Sequence, residues 1–257
     1  MPSSRAGAAS DMPVPSVVGV WVSGLPDQRF DLVVVAAGFT EARLPVFVES
    51  VGHIRRELLA TPPLRTLRRL LNVWRVDRVG DDLGAAYDPD SERVLTVDVA
   101  RARAVAEACG TRPDALLAVV DSPHYAGSGL PGVAVVTSHP DAARLALHEL
   151  GHAAFDLADE YGGPGPAASG AGEPRRVNVS REPDPTKVKW ADLVTPDGQV
   201  GCFEGGDRTD HGIYRPTATC LMRSVGQQFC PICRRQISAT LLASLAGRPE
   251  PTRPGFG

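Results

Sequence analysis

The segment that most constrains this chain is His148–His152 (HELGH), which sets two histidines four positions apart in an apolar stretch. On a helix, positions four apart share one face, so both imidazoles can reach one zinc ion at ~2.0–2.1 Å. Glu149 lies beside them and is suited to act as a general base in hydrolysis. The apolar flank Leu145–Leu147 predicts a buried helix, where such polar groups are costly without a role or good partners. A chance match on a buried helix is the alternative interpretation.

A catalytic zinc ion normally takes three protein ligands, so a third donor must come from elsewhere in the chain. Asp159 is the favoured candidate, because it follows His152 closely in an Asp-Glu-Tyr sequence. In a continuous helix Asp159 would lie ~10 Å along the axis from His152, so it can be a ligand only if the helix breaks early. No glycine marks that break, since residue 155 is phenylalanine. The alternative is that Asp159 and Glu160 hold a histidine N–H instead.

Other donors downstream of the motif stay open as third ligands. They are Asp156, Glu160, Glu173, Glu182, Glu204 and His211.

The overall charge and hydropathy exclude several classes of partner. The net charge is −3 and no basic run is present, so we expect no nucleic acid partner. No apolar stretch approaches the length of a membrane span. No signal peptide is recognisable at the N-terminus, which favours a cytoplasmic protein, or a secreted one if an export segment has been removed. The oligomeric state cannot be derived from the sequence.

The chain is long enough for one large domain. Residues 1–27 are predicted to be a flexible leader and residues 247–257 a flexible tail, with one catalytic domain at 28–246. Five apolar or β-branched runs predict strands, and helical spacing between them predicts an α/β or α+β fold. The predicted strands are Asp31–Phe39, Leu71–Val79, Val94–Val99, Ala115–Asp121 and Gly132–Ser138; the predicted helices are Ala42–Thr61, Arg101–Cys109, one carrying the histidines, and Pro231–Ala246.

Two details bear on the predicted site. Ser138 is a candidate N-cap for the helix that carries the histidines, and Gly132–Ser138 is either an internal strand or an edge strand that pairs with an extended substrate. The Gly- and Pro-rich stretch 162–186 is read as a long ordered loop or a mobile flap.

Several segments after the helix complete a recognisable pattern. They are Leu157–Tyr161 (LADEY), Val177–Ser180 (VNVS), Lys187–Trp190 (KVKW), Val200–Gly205 (VGCFEG), Tyr214–Pro216 (YRP), Cys220–Arg223 (CLMR) and Phe229–Cys233 (FCPIC). Together with the histidine motif they resemble the igalysin family, the immunoglobulin A peptidase-like metallopeptidases grouped with the metzincins. The similarity spans roughly residues 28–240.

The resemblance implies a metzincin-like zincin fold. A twisted, mixed five-stranded sheet with backing helices would form an upper lobe at 28–157. An irregular lower lobe at 158–246 would end in a helix. The resemblance also implies that Met222 forms a Met-turn beneath the zinc ion, whereas a lone methionine could equally be core packing. This chain departs from the common metzincin pattern by lacking glycine at 155 and histidine at 158.

Two further groups of residues are candidates for a functional or structural role. Tyr161 or Tyr214 could donate a hydrogen bond to an oxyanion, although tyrosines more often pack. Four cysteines fall in the last quarter of the chain and could form a disulfide, a redox pair or part of a structural metal site, of which a structural bridge is favoured. These cysteines are Cys202, Cys220, Cys230 and Cys233.

These observations predict a zinc-dependent endopeptidase that acts on a peptide or protein. An activated water would attack the peptide carbonyl while Glu149 takes a proton and passes it to the leaving amine. The motif fixes the reaction better than the substrate. Three alternatives stay open: a catalytically silent binding protein, a redox protein using Cys230 and Cys233, and an amide hydrolase acting on cell-wall or small peptides.

Overall fold

The computed structural model describes residues 15–163 and 172–246. Three predicted segments therefore fall wholly or partly outside the described residues: the first part of the leader (1–14), residues 164–171 of the long loop, and the tail (247–257).

The described chain is a mixture of strands and helices. The strands are β1 (Ser16–Trp21), β2 (Phe30–Ala37), β3 (Leu71–Asp77), β4 (Ala86–Asp88), β5 (Ser91–Thr96), β6 (Ala115–Val120), β7 (Gly127–Leu130), β8 (Val133–Thr137), β9 (Phe203–Gly206) and β10 (Thr209–Arg215). The α-helices are α1 (Leu44–Ala60), α2 (Leu64–Leu67), α3 (Val99–Ala108), α4 (Ala142–Ala153) and α5 (Pro231–Ala246). Short 3-10 helices occupy Pro26–Gln28, Glu41–Arg43, Arg68–Leu70 and Ala191–Leu193.

The main sheet has eight strands in the order β1-β3-β2-β6-β8-β7-β5-β4. Its centre is parallel, because β2 pairs with β3 and β6, and β6 pairs with β8 in the same direction. Antiparallel partners flank this centre: β1 lies against β3, and β7 lies against β8. The predicted mixed α+β class is therefore confirmed, with β9 and β10 forming a separate hairpin.

Strand β2 shows why the sheet lies in the middle of the protein. Its eight residues are all buried, as expected for a parallel strand that is covered on both faces. Leu32 and Val34 point into one apolar cluster, whereas Val33 and Val35 point into the other. The alternation follows from the two-residue period of a strand.

Helices cover the two faces unequally. The apolar stripe of α1, formed by Phe47, Val51, Ile54 and Leu58, joins the same cluster as α4 and α5. On the opposite face, Ala102 and Ala106 of α3 complete the second, smaller cluster. The helix that carries the histidine motif therefore packs inside the larger cluster. None of the helices in the described ranges is long and apolar enough to cross a membrane.

The two predicted lobes share one core. Trp190, Leu221 and Ile237 from the second half belong to the same apolar cluster as Leu32 and Val34 of β2. The irregular part before α5 is thus packed against the sheet layer through buried side chains.

Several expectations need correction. All five predicted strands are present as β2, β3, β5, β6 and β8, but the sheet has three more strands: β1, β4 and β7. The prediction that residues 1–27 form a loose leader is wrong for β1, which pairs with β3 from Ser16 to Trp21. Strand β8 is internal, because it lies between β6 and β7. Ser138 does not cap α4, which begins at Ala142 after Asp141.

Candidate metal centre

Helix α4 ends immediately after the second histidine. Its last residue is Ala153, and Asp156 adopts a left-handed backbone with φ of 50°. The amide of Leu157 then donates to the carbonyl oxygen of Gly151 at 2.9 Å. Glycine usually supplies this conformation, but aspartate also tolerates it. The chain therefore turns back toward the histidines within a few residues, which is the condition under which Asp159 can approach them.

Three donor atoms meet where the chain turns back. Asp159 Oδ1 lies 3.2 Å from His148 Nε2 and 3.0 Å from His152 Nε2. The two Nε2 atoms are themselves 3.2 Å apart. A tetrahedral zinc ion with ligands at ~2.0 Å separates its donor atoms by about 3.3 Å. The three atoms therefore have the spacing of one face of a metal coordination shell, and they form a group able to hold a metal ion.

Hydrogen bonds to the backbone fix which nitrogen of each ring faces inward. His148 Nδ1 lies 3.1 Å from the carbonyl oxygen of Leu221, and His152 Nδ1 lies 2.7 Å from that of Leu157. A carbonyl oxygen only accepts, so each Nδ1 carries the proton and each Nε2 presents a lone pair. Asp159 Oδ1 is buried and accepts no hydrogen bond. Three converging electron-pair donors without a proton between them fit a cation.

The charges around the centre are set by burial and proximity. Burial acts to raise the pKa of Asp159, but the two adjacent imidazoles hold it well below its usual range. Burial acts to lower the pKa of His148, yet the adjacent carboxylates of Asp159 and Glu149 raise it overall. Burial raises the pKa of Glu149, although the nearby histidines oppose this shift. A raised carboxyl pKa suits a group that takes and returns a proton.

Met222 packs against helix α4 at Gly151, which lies between the two histidines in the sequence. Its side chain is fully buried, and its Sδ atom lies 2.5 Å from the position that a Cβ atom on Gly151 would occupy. Because residue 151 is glycine, the surface of α4 between His148 and His152 has room for the Met222 thioether. The carbonyl of Met222 accepts from the Glu160 amide at 2.8 Å, so the methionine segment also holds the chain that carries Asp159.

The chain matches the model of a family described as IgA peptidase M64, over residues 18–198 and 195–241. The chain belongs to the IgA peptidase M64 family. This confirms the resemblance to the igalysins, and the matched ranges include α4, Asp159 and Met222. The family is one of metallopeptidases. Comparison with curated proteins finds no match.

In this igalysin, Arg208 contacts the Asp159 oxygen that does not face the histidines. The sequence had not indicated this arginine. Arg208 Nε donates to Asp159 Oδ2 at 2.9 Å. Arg208 lies at the tip of the β9–β10 hairpin, where both Asp207 and Arg208 have positive φ. The Asp207 amide donates to the Asp159 carbonyl oxygen at 2.8 Å, and the Arg208 amide donates to that of Tyr161 at 3.1 Å. The hairpin tip therefore braces the segment 159–161.

A second unpredicted brace is Asn178, which is completely buried. Its Oδ1 accepts from the Ala158 amide at 2.8 Å, and its Nδ2 donates to the Ala158 carbonyl oxygen at 2.9 Å. The same Nδ2 donates to Glu160 Oε1 at 3.0 Å. The only sequence signal was its place in the segment Val177–Ser180, which resembles the igalysins.

Strand β7 packs so closely against α4 and β8 that only glycine fits at two positions. A Cβ on Gly129 would lie 2.4 Å from His152 Cβ and 2.9 Å from the Glu149 carbonyl oxygen. A Cβ on Gly127 would lie 2.8 Å from the Val135 carbonyl oxygen of β8 and 3.2 Å from Glu149 Cγ. The Gly-x-Gly pattern was the available signal, but without β-branched residues it did not indicate a strand.

The two predicted tyrosines differ in position. Tyr161 lies beside Asp159 and Arg208, and burial together with the charge of Asp159 raises the pKa of its hydroxyl to about 12. Tyr214 lies in β10, where its backbone pairs with Ser180. Within the described residues, no hydrogen bond joins the Tyr214 side chain to the three metal-ligand candidates.

The cysteines divide into two groups. Every cysteine in the chain carries a free thiol, so the favoured structural disulfide is wrong for this structure. Cys202 is half-buried, and its thiol donates to the Glu182 carbonyl oxygen at 3.4 Å. The other three, Cys220, Cys230 and Cys233, converge on the side chain of Glu160. Glu160 therefore faces the cysteines rather than a histidine N–H.

Proposed function

We propose that this protein is a zinc-dependent endopeptidase that hydrolyses peptide bonds with Glu149 as general base and acid. The observation that carries the proposal is the convergence of His148 Nε2, His152 Nε2 and Asp159 Oδ1 within 3.0–3.2 Å of one another. Membership of a metallopeptidase family supports the same conclusion.

The proposed zinc ligands are His148, His152 and Asp159. Three protein ligands leave a coordination position open, as catalytic zinc sites require. A zinc ion bound there would supply Lewis acidity, polarising a carbonyl and lowering the pKa of water. The chain contributes the rigidity of this ligand set: the Leu221 and Leu157 carbonyls orient the rings. Arg208 holds the free oxygen of Asp159.

Glu149 is the proposed proton carrier. This residue is 7% exposed and lies on the helix between the two histidines. Burial raises its pKa, so it can take a proton from the attacking water and deliver it to the amine that leaves. Tyr161, beside Asp159, is a proposed hydrogen-bond donor to the carbonyl oxygen. Tyr214 is too poorly connected to this site to be proposed for that role.

The substrate would bind as an extended chain along β7. In the part of the chain that the structure describes, β7 pairs with β5 only through Gly127 and Val94. The outer edge of Gly129 and Leu130 is therefore open to strand addition. Gly129 also lies directly against His152, so a peptide on this edge would run past the proposed zinc ligands.

The decisive experiment compares the wild-type protein with Glu149→Gln on a mixed peptide library, with zinc content measured for both. We expect about one zinc ion at this centre in each protein, internal cleavage by the wild type, and a loss of cleavage of at least ~100-fold in the variant. Glu107→Gln is the matched control, because Glu107 is exposed on α3 at the opposite face of the sheet.

The outcomes separate the alternatives. Zinc retained with cleavage abolished only in Glu149→Gln supports a glutamate-assisted peptidase. Zinc bound without cleavage by the wild type would favour a catalytically silent binding protein, and cleavage of cell-wall or other small peptides alone would favour an amide hydrolase. A folded protein that takes up no metal at His148, His152 and Asp159 would contradict the proposal.

A further inference from the structure

A second group of metal-binding side chains lies behind the first. Glu160, Cys220, Cys230 and Cys233 each contribute one ligand atom, and these atoms lie within 4.8 Å of one another. All four residues are buried, and Glu160 is completely shielded from solvent. Nothing in the proposed hydrolysis uses them. We propose that these four residues bind a second zinc ion, which has a structural role.

The distances within the cluster suit coordination and not a covalent bond. Cys220 Sγ lies 3.8 Å from Cys233 Sγ, whereas a disulfide needs ~2.05 Å. Glu160 Oε1 lies 3.1 Å from Cys233 Sγ and 3.7 Å from Cys230 Sγ. A tetrahedral zinc ion with sulfur at ~2.3 Å and oxygen at ~2.0 Å would separate two sulfurs by about 3.8 Å and a sulfur from an oxygen by about 3.5 Å.

An unpartnered carboxylate oxygen points to a cation independently of those distances. Glu160 Oε1 accepts from Asn178 at 3.0 Å, but Glu160 Oε2 is buried and has no hydrogen-bond partner. A fully buried carboxylate is costly unless it is paired or coordinates a metal. A zinc ion among the three thiols would compensate this group.

The backbone around the cysteines is arranged to stabilise thiolates. The Cys230 amide donates to Cys220 Sγ at 3.3 Å, and the Cys233 amide donates to Cys230 Sγ at 3.4 Å. Such hydrogen bonds to ligand atoms are typical of metal sites. Cys230 also directly precedes α5, which begins at Pro231, and a helix N-terminus favours a negative sulfur. The two-residue gap between Cys230 and Cys233 is a common spacing of zinc ligands.

Basic groups offset the charge that such a site would retain. Three thiolates, one carboxylate and a divalent ion leave a net charge of about −2 by ionic charge counting. Arg223 Nη1 donates to the Glu160 carbonyl oxygen at 3.2 Å. Arg215 is 8% exposed and interacts electrostatically with Glu160. Two guanidinium groups therefore lie where the excess negative charge would be.

The ligand set indicates both the metal and its role. Three sulfurs and one oxygen in a small tetrahedral space favour zinc among the common metals. Four protein ligands close the coordination shell, which is the mark of a structural site. The ion would join the segment after Asp159, the segment before Met222 and the start of α5. This part of the chain has little regular structure, so a metal cross-link there would hold both catalytic segments in place.

The test begins with zinc content in a chain that lacks the first centre. Under reducing conditions we expect two zinc ions per wild-type chain and one in the His148→Ala/His152→Ala variant, measured by plasma mass spectrometry. Cobalt substituted into that variant should give the intense charge-transfer absorption of cobalt bound to thiolates. A folded variant with no zinc and no such absorption would overturn the second site. That result would not bear on the first site, because the variant lacks both of its histidines.

Cysteine variants identify the ligands. Cys230→Ser should lower the zinc content of the otherwise wild-type chain from two to one, whereas Cys202→Ser should keep two, because Cys202 lies outside the cluster. If Cys230→Ser does not fold, the cobalt spectrum of the histidine variant decides the question. A wild-type chain that holds one zinc ion, and loses it in the His148→Ala/His152→Ala variant, overturns the proposal. A thiol count is a second test of the wild-type chain after denaturation without reductant. Two fewer reactive thiols than its five cysteines would also overturn the proposal, since a disulfide would then occupy the cluster.

Discussion

At the residue scale, the proposed metal ligands depend on neighbours that do not touch a metal. Arg208, which donates to Asp159, lies in a hairpin 49 residues further along the chain. Gly151 of α4 has no side chain and so leaves space for Met222 against the helix. Partners of this kind orient ligands and set their basicity. Their effect should therefore be visible in metal affinity before it is visible in the fold.

Arg208→Ala should weaken zinc binding at His148, His152 and Asp159 by about 10–100-fold, because Asp159 Oδ2 would lose its donor. Competition with a chromophoric chelator measures the affinity. Arg235→Ala is the control, since Arg235 pairs with Asp192, outside both metal clusters. Equal zinc affinities for the two variants would show that Arg208 does not position the ligand.

Gly151→Ala should lower the free energy of unfolding by about 1–2 kcal/mol, although alanine is the better helix former. The added methyl group would meet Met222 Sδ at 2.5 Å. Gly52 lies in the interior of α1 with nothing within 4 Å of its missing Cβ, so Gly52→Ala should instead stabilise by about 0.5–1 kcal/mol. Urea unfolding of the two variants tests the contrast, and stabilisation by both would refute the packing argument.

At the scale of elements, the end of α4 is the feature that brings Asp159 to the histidines. The sequence indicated that an early break was necessary but did not show where it occurs, because aspartate at 156 takes the conformation that glycine usually marks. Strand β7 escaped prediction for a related reason. Its Gly-Ser-Gly-Leu sequence lacks β propensity, and its position is fixed by contact with α4.

Substitutions at Asp156 test this helix end. Asp156→Gly should keep or raise stability, whereas Asp156→Val should cost about 1–2 kcal/mol, since a β-branched residue resists a positive φ. The valine variant should also bind zinc more weakly, because the return of the chain to Asp159 would shift. Asp156→Asn controls for loss of the exposed ion pair with Arg176, which is worth little. Urea unfolding and chelator competition measure both effects.

At the scale of the whole molecule, sequence reasoning succeeded where the signals are local. β-branched runs predicted β2, β3, β5, β6 and β8, and helical spacing predicted α1, α3 and α5. It failed where contacts between distant segments decide the structure. β1 was assigned to a loose leader because nothing near it in sequence shows its pairing with β3. The positions of Arg208 and the three clustered cysteines were likewise not derivable, since they depend on how the second half folds onto the first.

Because one apolar cluster spans both halves, the chain should unfold in a single step when zinc is saturating. A Trp21→Phe/Trp74→Phe variant leaves Trp190 as the fluorescent reporter of the second half. Trp190 is fully buried and its indole N–H donates to the Gly201 carbonyl oxygen at 2.7 Å. Its fluorescence should follow the same urea transition as the circular dichroism of the whole protein. Two separated midpoints would mean that the lobes unfold independently.

Asp159 and Glu160 are neighbours in the chain, yet their carboxylates face different clusters. Adjacent residues divide in this way because their side chains leave the chain on opposite sides. Inserting or deleting one residue between the end of α4 and Glu160 would turn each carboxylate away from its own cluster. The histidine cluster would lose Asp159 and the cysteine cluster would lose Glu160. The spacing from His152 to Glu160 is therefore fixed by geometry. Changes of length between these two residues would therefore cost both clusters their carboxylate.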